Sequence, residues 1–331
     1  MLRLYQRVLL TAISLLLTFI LFLNNSNIPP SISTASRLLP SKFRTSQPER
    51  NYTQSLVVAS TTHEDTSWTK ELTTNLTTYI YLADDETAPL HPPQNKGHET
   101  MIYLTYIIDH YHNLSDITIF THSSDDSWHN NDLQSFSLHG YFNLRCHHES
   151  GCPDHIKPYA TEHSDKDEER HFLTQWPLLH GEGAEVPETL ATACCAQFAA
   201  SREAILRVPL SRWEHYRQWF IDTPLEDSIS GRIWEFTWQW VLTSQAVVCP
   251  SVQACYCGGY GLCFESEAEI MSWLTMKSVA DMAKETVRDF EDRERDKGGV
   301  EYYLWQKMQR PLNKWLYEAE VRERIRRLGR D

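Results

Sequence analysis

The chain is 331 residues long and carries 31 Lys and Arg against 44 Asp and Glu, a net charge of −13. That surplus of acid repels a phosphate backbone and excludes nucleic acid as the partner. Hydrophobic residues at 41% and charged residues at 23% exclude wholesale disorder, and 12 Gly exclude a glycine-repeat fibre.

Residues 1–7 hold Arg3 and Arg7 and no acid, and Val8 to Leu23 carries no charge. This is a short basic segment followed by an apolar one. As a helix, residues 8–23 would span roughly 24 Å at about 1.5 Å per residue, which suits a thin secretory-pathway bilayer. The exit, Leu23-Asn24-Asn25-Ser26, lacks the small residues that a cleavage site wants. We therefore expect a transmembrane signal anchor over 8–23 and a cytoplasmic tail over 1–7. The positive flank orients it as a single-pass type II protein of the endoplasmic reticulum or Golgi, secreted if the signal is cleaved. Residues 24–55 are rich in Ser, Pro, Asn and Thr and show no periodicity, the composition of a disordered stem.

Two features fit a lumenal setting. Asn-x-Ser/Thr acceptors stand at Asn24, Asn51, Asn75 and Asn113, so a glycoprotein is expected. The cysteines number 8, an even count that an oxidising compartment would pair. Cys146 and Cys152 bracket a Gly-Cys-Pro turn and are the pair that spacing favours, while Cys249, Cys255, Cys257 and Cys263 crowd one loop whose connectivity stays open. Their spacings lack the paired C-x2-C of structural zinc.

In chain order the body alternates strands and helices. Leu56–Ser60 is an apolar, β-branched run. Asp65 then caps a short helix through Trp68 and Leu72. Tyr79–Leu82 is a second strand, ending at Asp84-Asp85. Glu99 to Tyr111 is an amphipathic helix, with Met101, Leu104, Ile108 and Tyr111 on one stripe. Asp116–Thr121 is a third strand. Thr189–Leu206, containing Cys194-Cys195, reads as a helix with one apolar face. Ser211-x-x-Glu214 and Thr223-Pro224-x-Glu226 read as capping boxes opening helices, and Arg232–Leu242 as a tryptophan-rich helix. The tail from Glu265 is charged and helical in pattern, with a solvated break over Glu291–Lys297 and a basic end. The expectation is an α/β globular domain over 56–264, its largely parallel or mixed sheet flanked by helices, followed by a charged helical tail over 265–331.

Candidate chemistry gathers at strand ends. Asp84 and Asp85 are adjacent carboxylates at the carboxyl end of a strand, where open α/β sheets bind ligands, and could hold Mg²⁺ or Mn²⁺. The alternative is an ordinary polar strand exit; Asp125-Asp126 form a rival pair. Lys96 precedes the best helix start and could meet a phosphate, or simply belong to a turn. Trp128-His129-Asn130, past the third strand, offers His129 as a general base. Glu235 sits among aromatics, where burial would raise its pKa into a useful range; the plainer alternative is a pair with Arg232 one turn earlier. No Walker, G-x-S-x-G or G-x-G-x-x-G pattern occurs in the chain.

From about Val57 to Phe264 the chain resembles a fungal family known as domain of unknown function 3431. The residues that carry it are Asn95-Lys96-Gly97-His98-Glu99, Tyr103 to Asp109, Trp128-His129-Asn130, Gly140 to Cys146, Gly151-Cys152-Pro153, Cys194 to Phe198, Ser201-Arg202-Glu203 and Cys249 to Phe264. The resemblance implies a fold unit and no reaction. The organisation of anchor, stem and α/β domain with an acidic pair after a strand also resembles lumenal nucleotide-sugar glycosyltransferases at the level of fold. The pair departs from their usual Asp-x-Asp. Two function classes follow. One is a glycosyltransferase-like enzyme with a nucleotide sugar donor and a glycan acceptor. The other is a non-catalytic lumenal module that binds partners or glycans. A histidine–metal oxidoreductase or hydrolase is a third.

Overall fold

Leu56-Val57-Val58 is apolar toward both sides, which suits a strand covered on both faces. In the computed structural model this run is the middle of β1, Gln54–Ser60, and it is almost wholly buried. The structure describes residues 52–72, 76–123, 140–160, 165–292 and 300–328. Positions 8–23, Asn24, Asn51, Asn75, Asp125, Asp126 and His129 lie outside them. Among the described residues no helix is long and apolar enough to cross a membrane.

The main sheet adds β2, Leu76–Leu82, β3, Ile117–His122, β4, Tyr141–Asn143, and β6, Phe198–Ser201, in the order β2-β1-β3-β6-β4. β1 pairs in parallel with both β2 and β3, from Gln54↔Leu76 and Gln54↔Ile117 onward. β6 runs antiparallel to β3, with Phe120 opposite Phe198, and antiparallel to β4. The sheet is therefore mixed. A two-stranded parallel piece joins β5, Ala191–Thr192, to β7, Val247–Val248.

The two crossovers around β1 lie on opposite faces. A 3-10 helix, Ser67–Glu71, follows β1, and Trp68 and Leu72 pack under Leu56, Val58 and Ile119. The predicted amphipathic helix, α1, Glu99–His110, follows β2 and packs with Val57, Tyr81 and Phe120 on the other face. Beneath α1 lies an aromatic core. It is supplied by α2, Glu169–His180, α4, Leu210–Asp222, α5, Asp227–Glu235, and α6, Trp238–Thr243, while α3, Arg202–Leu206, closes the end of β6. Trp176, Trp213, Trp234 and Trp238 are each 1% exposed or less, so four of the 11 tryptophans are spent on this layer.

Beyond the sheet come α7, Val252–Tyr260, and the long helices α8, Glu267–Asp292, and α9, Val300–Leu328. Tyr302 hydrogen-bonds Glu291 and Gln309 reaches the carbonyl of Ala283, so α8 and α9 run antiparallel. A separate cluster of Tyr256, Tyr260, Ile270, Trp273 and Ala319 seals the pair against α7.

Several expectations need correction. Residues 189–206 are not one helix. Cys195 at φ 80° and Ala196 at φ 45° take left-handed backbone and turn the chain between β5 and β6. The segment reads apolar because β6 lies inside the sheet and is buried throughout. Ser211 does not cap: α4 starts a residue earlier, after Pro209. Thr223 ends α4 rather than opening α5, which begins at Asp227. The tryptophan helix breaks at Phe236-Thr237 into α5 and α6. The capping hydroxyls are instead Ser201 on α3, Ser251 on α7 and Ser266 ahead of Glu267. Cys146 does not pair with Cys152. The disulfides are Cys146–Cys255, Cys152–Cys249, Cys194–Cys195 and Cys257–Cys263, and no cysteine is free.

Candidate functional site

Because the connections on either side of β1 leave by opposite faces, the carboxyl ends of β1 and β3 are a topological switch point, the place where open α/β sheets carry their ligand crevice. The loop after β1 is folded back by Glu64, whose carboxylate accepts from the N–H and the hydroxyl of Thr61. Burial would raise the Glu64 pKa, but hydrogen bonds from Ser123 and Thr61 outweigh it and hold the group ionised below the usual range. Ser123 comes directly after β3, and its carbonyl also accepts from the Trp68 indole at 2.7 Å. Glu64 and Trp68 thus lace the mouth from one side.

The other side is the start of α1. Gly97 at φ +71° makes the turn that delivers His98 and Glu99, and a Cβ there would lie 2.4 Å from the Phe220 ring. Gly231 of α5 is equally constrained, since a Cβ would lie 2.6 Å from the His98 ring. His98 therefore rests on the bare backbone of α5. Glu99 sits 3.9 Å from His122 Nε2 at the tip of β3, close enough to attract and too far to hydrogen-bond. Burial lifts the Glu99 pKa to about 7, and the nearby carboxylate of Glu235 adds to the effect. Burial pushes His122 down, with Glu64 partly opposing it. Tyr103, one turn along α1, buries its hydroxyl without a partner, and the Glu99 charge adds to the burial that keeps it protonated.

Glu235 comes in from the last residue of α5. Its neighbours Trp234 and Phe236 belong to the core, while its carboxylate accepts from the N–H of Cys195 at 2.5 Å. Burial raises its pKa; that hydrogen bond and the charges of Arg232 and Arg145 pull the other way. The expected pair with Arg232 does not form. Arg232 Nη1 reaches Glu168 Oε2 at 3.7 Å, and Glu168 is itself only 4% exposed. Arg145, just past β4, places Nη1 2.5 Å from Cys194 Sγ and 3.0 Å from Cys195 Sγ. Asn143 steadies this floor, donating to the Ala193 carbonyl at 2.6 Å while its own carbonyl accepts from the Arg145 N–H. Cys194, Cys195 and Glu235 present three ligand-type atoms within 4.8 Å of one another, which no other such group among the described residues does.

The remaining sequence candidates sit around this crevice. Asp84, at the exit of β2, accepts from the N–H and the hydroxyl of Thr62, in the loop after β1 that also bears Glu64. Asp85 accepts both corresponding groups of Thr87 on one oxygen. These hydrogen bonds hold both carboxylates below their ordinary pKa. Lys96 donates from Nζ to the Thr223 carbonyl at 2.5 Å, closing the end of α4. Of the predicted residues, the fold brings Glu235 to the crevice and ties Asp84 to its rim. Glu99, Glu168 and Arg145 stand in no motif that marks a chemistry for them in the sequence, and His122 is one of 15 histidines without a diagnostic spacing. The adjacency of Cys194 and Cys195 was the one signal that could have drawn attention to this floor.

The sequence from residue 56 to residue 258 matches the family model described as protein of unknown function (DUF3431). The chain belongs to that family. Within the DUF3431 match fall both walls of the crevice, Glu64, Glu99 and His122, and its floor, Arg145, Cys194, Cys195 and Glu235. The helices α8 and α9 lie beyond it. No curated protein and no solved structure matches the chain.

Proposed function

We propose that the chain is a glycosyltransferase-like enzyme of the secretory pathway that moves a sugar from a nucleotide donor to an acceptor hydroxyl. The carrying observation is Glu235, a half-buried carboxylate with a raised pKa, close enough to Glu99 for the two charges to interact, with Glu99 in turn 3.9 Å from His122. A carboxylate whose pKa is raised by burial is a stronger base toward the acceptor's proton than an ordinary surface carboxylate. Cys195 N–H holds one oxygen of Glu235 in place, which fixes the direction in which the carboxylate meets the acceptor. His122, kept neutral, can orient the hydroxyl by hydrogen bonding. His129 remains a second candidate base.

The donor's diphosphate would face the rim. Asp84 and Asp85 have the hard oxygens that Mg²⁺ or Mn²⁺ prefers, and such ions are commonly held by one or two carboxylates together with phosphates. Asp84 has both oxygens engaged with Thr62, so Asp85, with one oxygen committed to Thr87, is the better ligand of the two. When bound, the ion would neutralise charge on the departing diphosphate. Lys96 has donor capacity left beside its bond to Thr223.

The location in an oxidising lumen, behind the anchor at 8–23, is supported by the pairing of every cysteine. Asn113 is exposed, as a glycan acceptor must be.

The test is donor binding and turnover. Uridine and guanosine diphosphate should raise the melting temperature in the presence of Mn²⁺, and the Asp84→Asn, Asp85→Asn double variant should lose that shift. Glu235→Gln should retain donor binding and lose transfer. Diphosphate binding that is unchanged in the double variant would remove the rim assignment, and full turnover in Glu235→Gln would remove the base.

A second reading is a non-catalytic binding module; the cleft of about 40 Å³ beside the floor has room for a few waters and not for a sugar ring, so such a module would bind across its outer surface. Tyr141, Phe142, Asn143, Arg145 and His148 line the cleft, and two disulfides brace it. Glycan binding without donor turnover would select this reading.

A further inference from the structure

We infer that Cys194, Cys195 and Glu235 form a redox-gated site for a soft divalent cation such as Zn²⁺, closed while the disulfide stands and opened by its reduction. Four observations meet there. The two sulfurs and a Glu235 oxygen are mutually within 4.8 Å. Arg145 Nη1 touches both sulfurs, at 2.5 and 3.0 Å. Cys195 is partly exposed, so a reductant can reach it. Cys195 and Ala196 both hold left-handed backbone, which non-glycine residues adopt reluctantly, and opening the ring lets them relax.

Arg145 makes this disulfide the one prepared for exchange. A guanidinium beside a sulfur favours the thiolate that leaves when a disulfide is attacked. Cys146 and Cys255 are each 3% exposed, which shields that bridge, whereas Cys152, Cys249 and Cys257 are partly exposed as Cys195 is, so the guanidinium and not access distinguishes Cys194–Cys195. The vicinal bridge also spans adjacent residues, so opening it releases no loop of chain and leaves the fold cross-linked by the other three.

The chemistry balances with a dithiol as reductant. The dithiol gives two electrons and two protons to Cys194–Cys195; the S–S bond breaks, two thiols form, and the dithiol closes to its own disulfide. Zn²⁺ then binds both sulfurs as thiolates, and the two thiol protons leave to solvent. A Glu235 oxygen is the third ligand and water the fourth, the arrangement of an open zinc site. Tetrahedral arms of about 2.3 Å to sulfur need the sulfurs only roughly 4 Å apart, a small widening from bonded contact. Charge also closes: two thiolates and one carboxylate are offset by the ion and by Arg145, which leaves a neutral cluster in a partly buried place. A Zn²⁺-bound Glu235 could not act as a base, so the reducing state would silence the crevice. The inference does not depend on sugar transfer, because its test reads metal alone.

The experiment uses the full chain. Dithiothreitol is titrated in, thiols are alkylated, and modified cysteines are located by mass. Co²⁺ is offered as a spectroscopic substitute to a separate, unalkylated portion of the partly reduced chain, freed of dithiothreitol without oxygen, followed by Zn²⁺ in competition with a chromophoric chelator. The expected result is early alkylation at Cys194 and Cys195, one Co²⁺ per reduced chain with a thiolate-to-cobalt charge-transfer band, and none per oxidised chain. Glu235→Gln should still show both thiols and bind Zn²⁺ roughly tenfold or more weakly, with Glu235→Asp restoring part of the loss. Cys194→Ser with Cys195→Ser should keep the other bridges and bind nothing. Reduction of the remaining bridges before Cys194–Cys195, absence of a cobalt band in the two-thiol form, or undiminished Zn²⁺ affinity in Glu235→Gln would each overturn the inference.

Discussion

Cys146–Cys255 and Cys152–Cys249 are nested, and this gives a quantitative prediction about what anchors the strand that carries Arg145. Their sequence separations are 109 and 97, so with either bridge intact the other closes only the difference, about a dozen residues. In the chain-entropy treatment a loop of about 100 residues restricts the unfolded chain by roughly 4.7 kcal/mol, and one of about 14 residues by roughly 3 kcal/mol. Replacing either pair by serine should therefore cost roughly 3 kcal/mol, because the survivor still closes the long loop. Replacing both should cost roughly 7.7 kcal/mol, about 1.7 kcal/mol more than the two single losses together. Guanidinium denaturation of the four proteins, with no reductant present, measures this double-mutant cycle. Single losses near 4.7 kcal/mol that add without coupling would refute the nested-loop reasoning.

The other predictions concern the crevice. Glu99 has its pKa raised from 4.5 to about 7, so its contribution favours the folded state below the unfolded value and is lost as pH rises through the folded one. Glu99→Gln should flatten the stability profile over that window and stabilise the chain above pH 7, by about 3 kcal/mol at most, as read from melts across pH. Gly97→Ala forces a Cβ to 2.4 Å from Phe220 at φ +71°, and should cost about 1–3 kcal/mol in thermal unfolding. Phe220→Leu should recover part of that loss if the ring contact contributes, and none if backbone strain is the whole cause. Asp116, held below its usual pKa by Thr53 and helped by Arg202, favours the folded state above the ordinary Asp range. Asp116→Asn should therefore weaken the acid-side fall in stability seen in the parent.

The strands β1 and β3 and the helix α1 were legible because local periodicity and burial agree: Leu56-Val57-Val58 is apolar on both sides, and Met101, Leu104 and Ile108 share one stripe. The even cysteine count announced cross-links for the same reason, since composition alone carries it. Where a strand is buried on both faces and short, as in Phe198-Ala199-Ala200-Ser201, its sequence looks like a helix, and only the pairing to β3 and β4 decided it. Bridge partners were likewise invisible, because Cys146 meets Cys255 through the packing of α7 against β4 and not through spacing. Glu64, Glu99, His122, Arg145 and Glu235 are scattered along the chain, and no local preference relates them. They meet because crossovers on opposite faces of β1 open a crevice at the strand ends, and because antiparallel β6 returns Cys194-Cys195 to that same edge. Sequence set the chemical inventory and the elements whose period is clear; pairing decided the short buried strands, and the order and direction of strands chose which groups share a site.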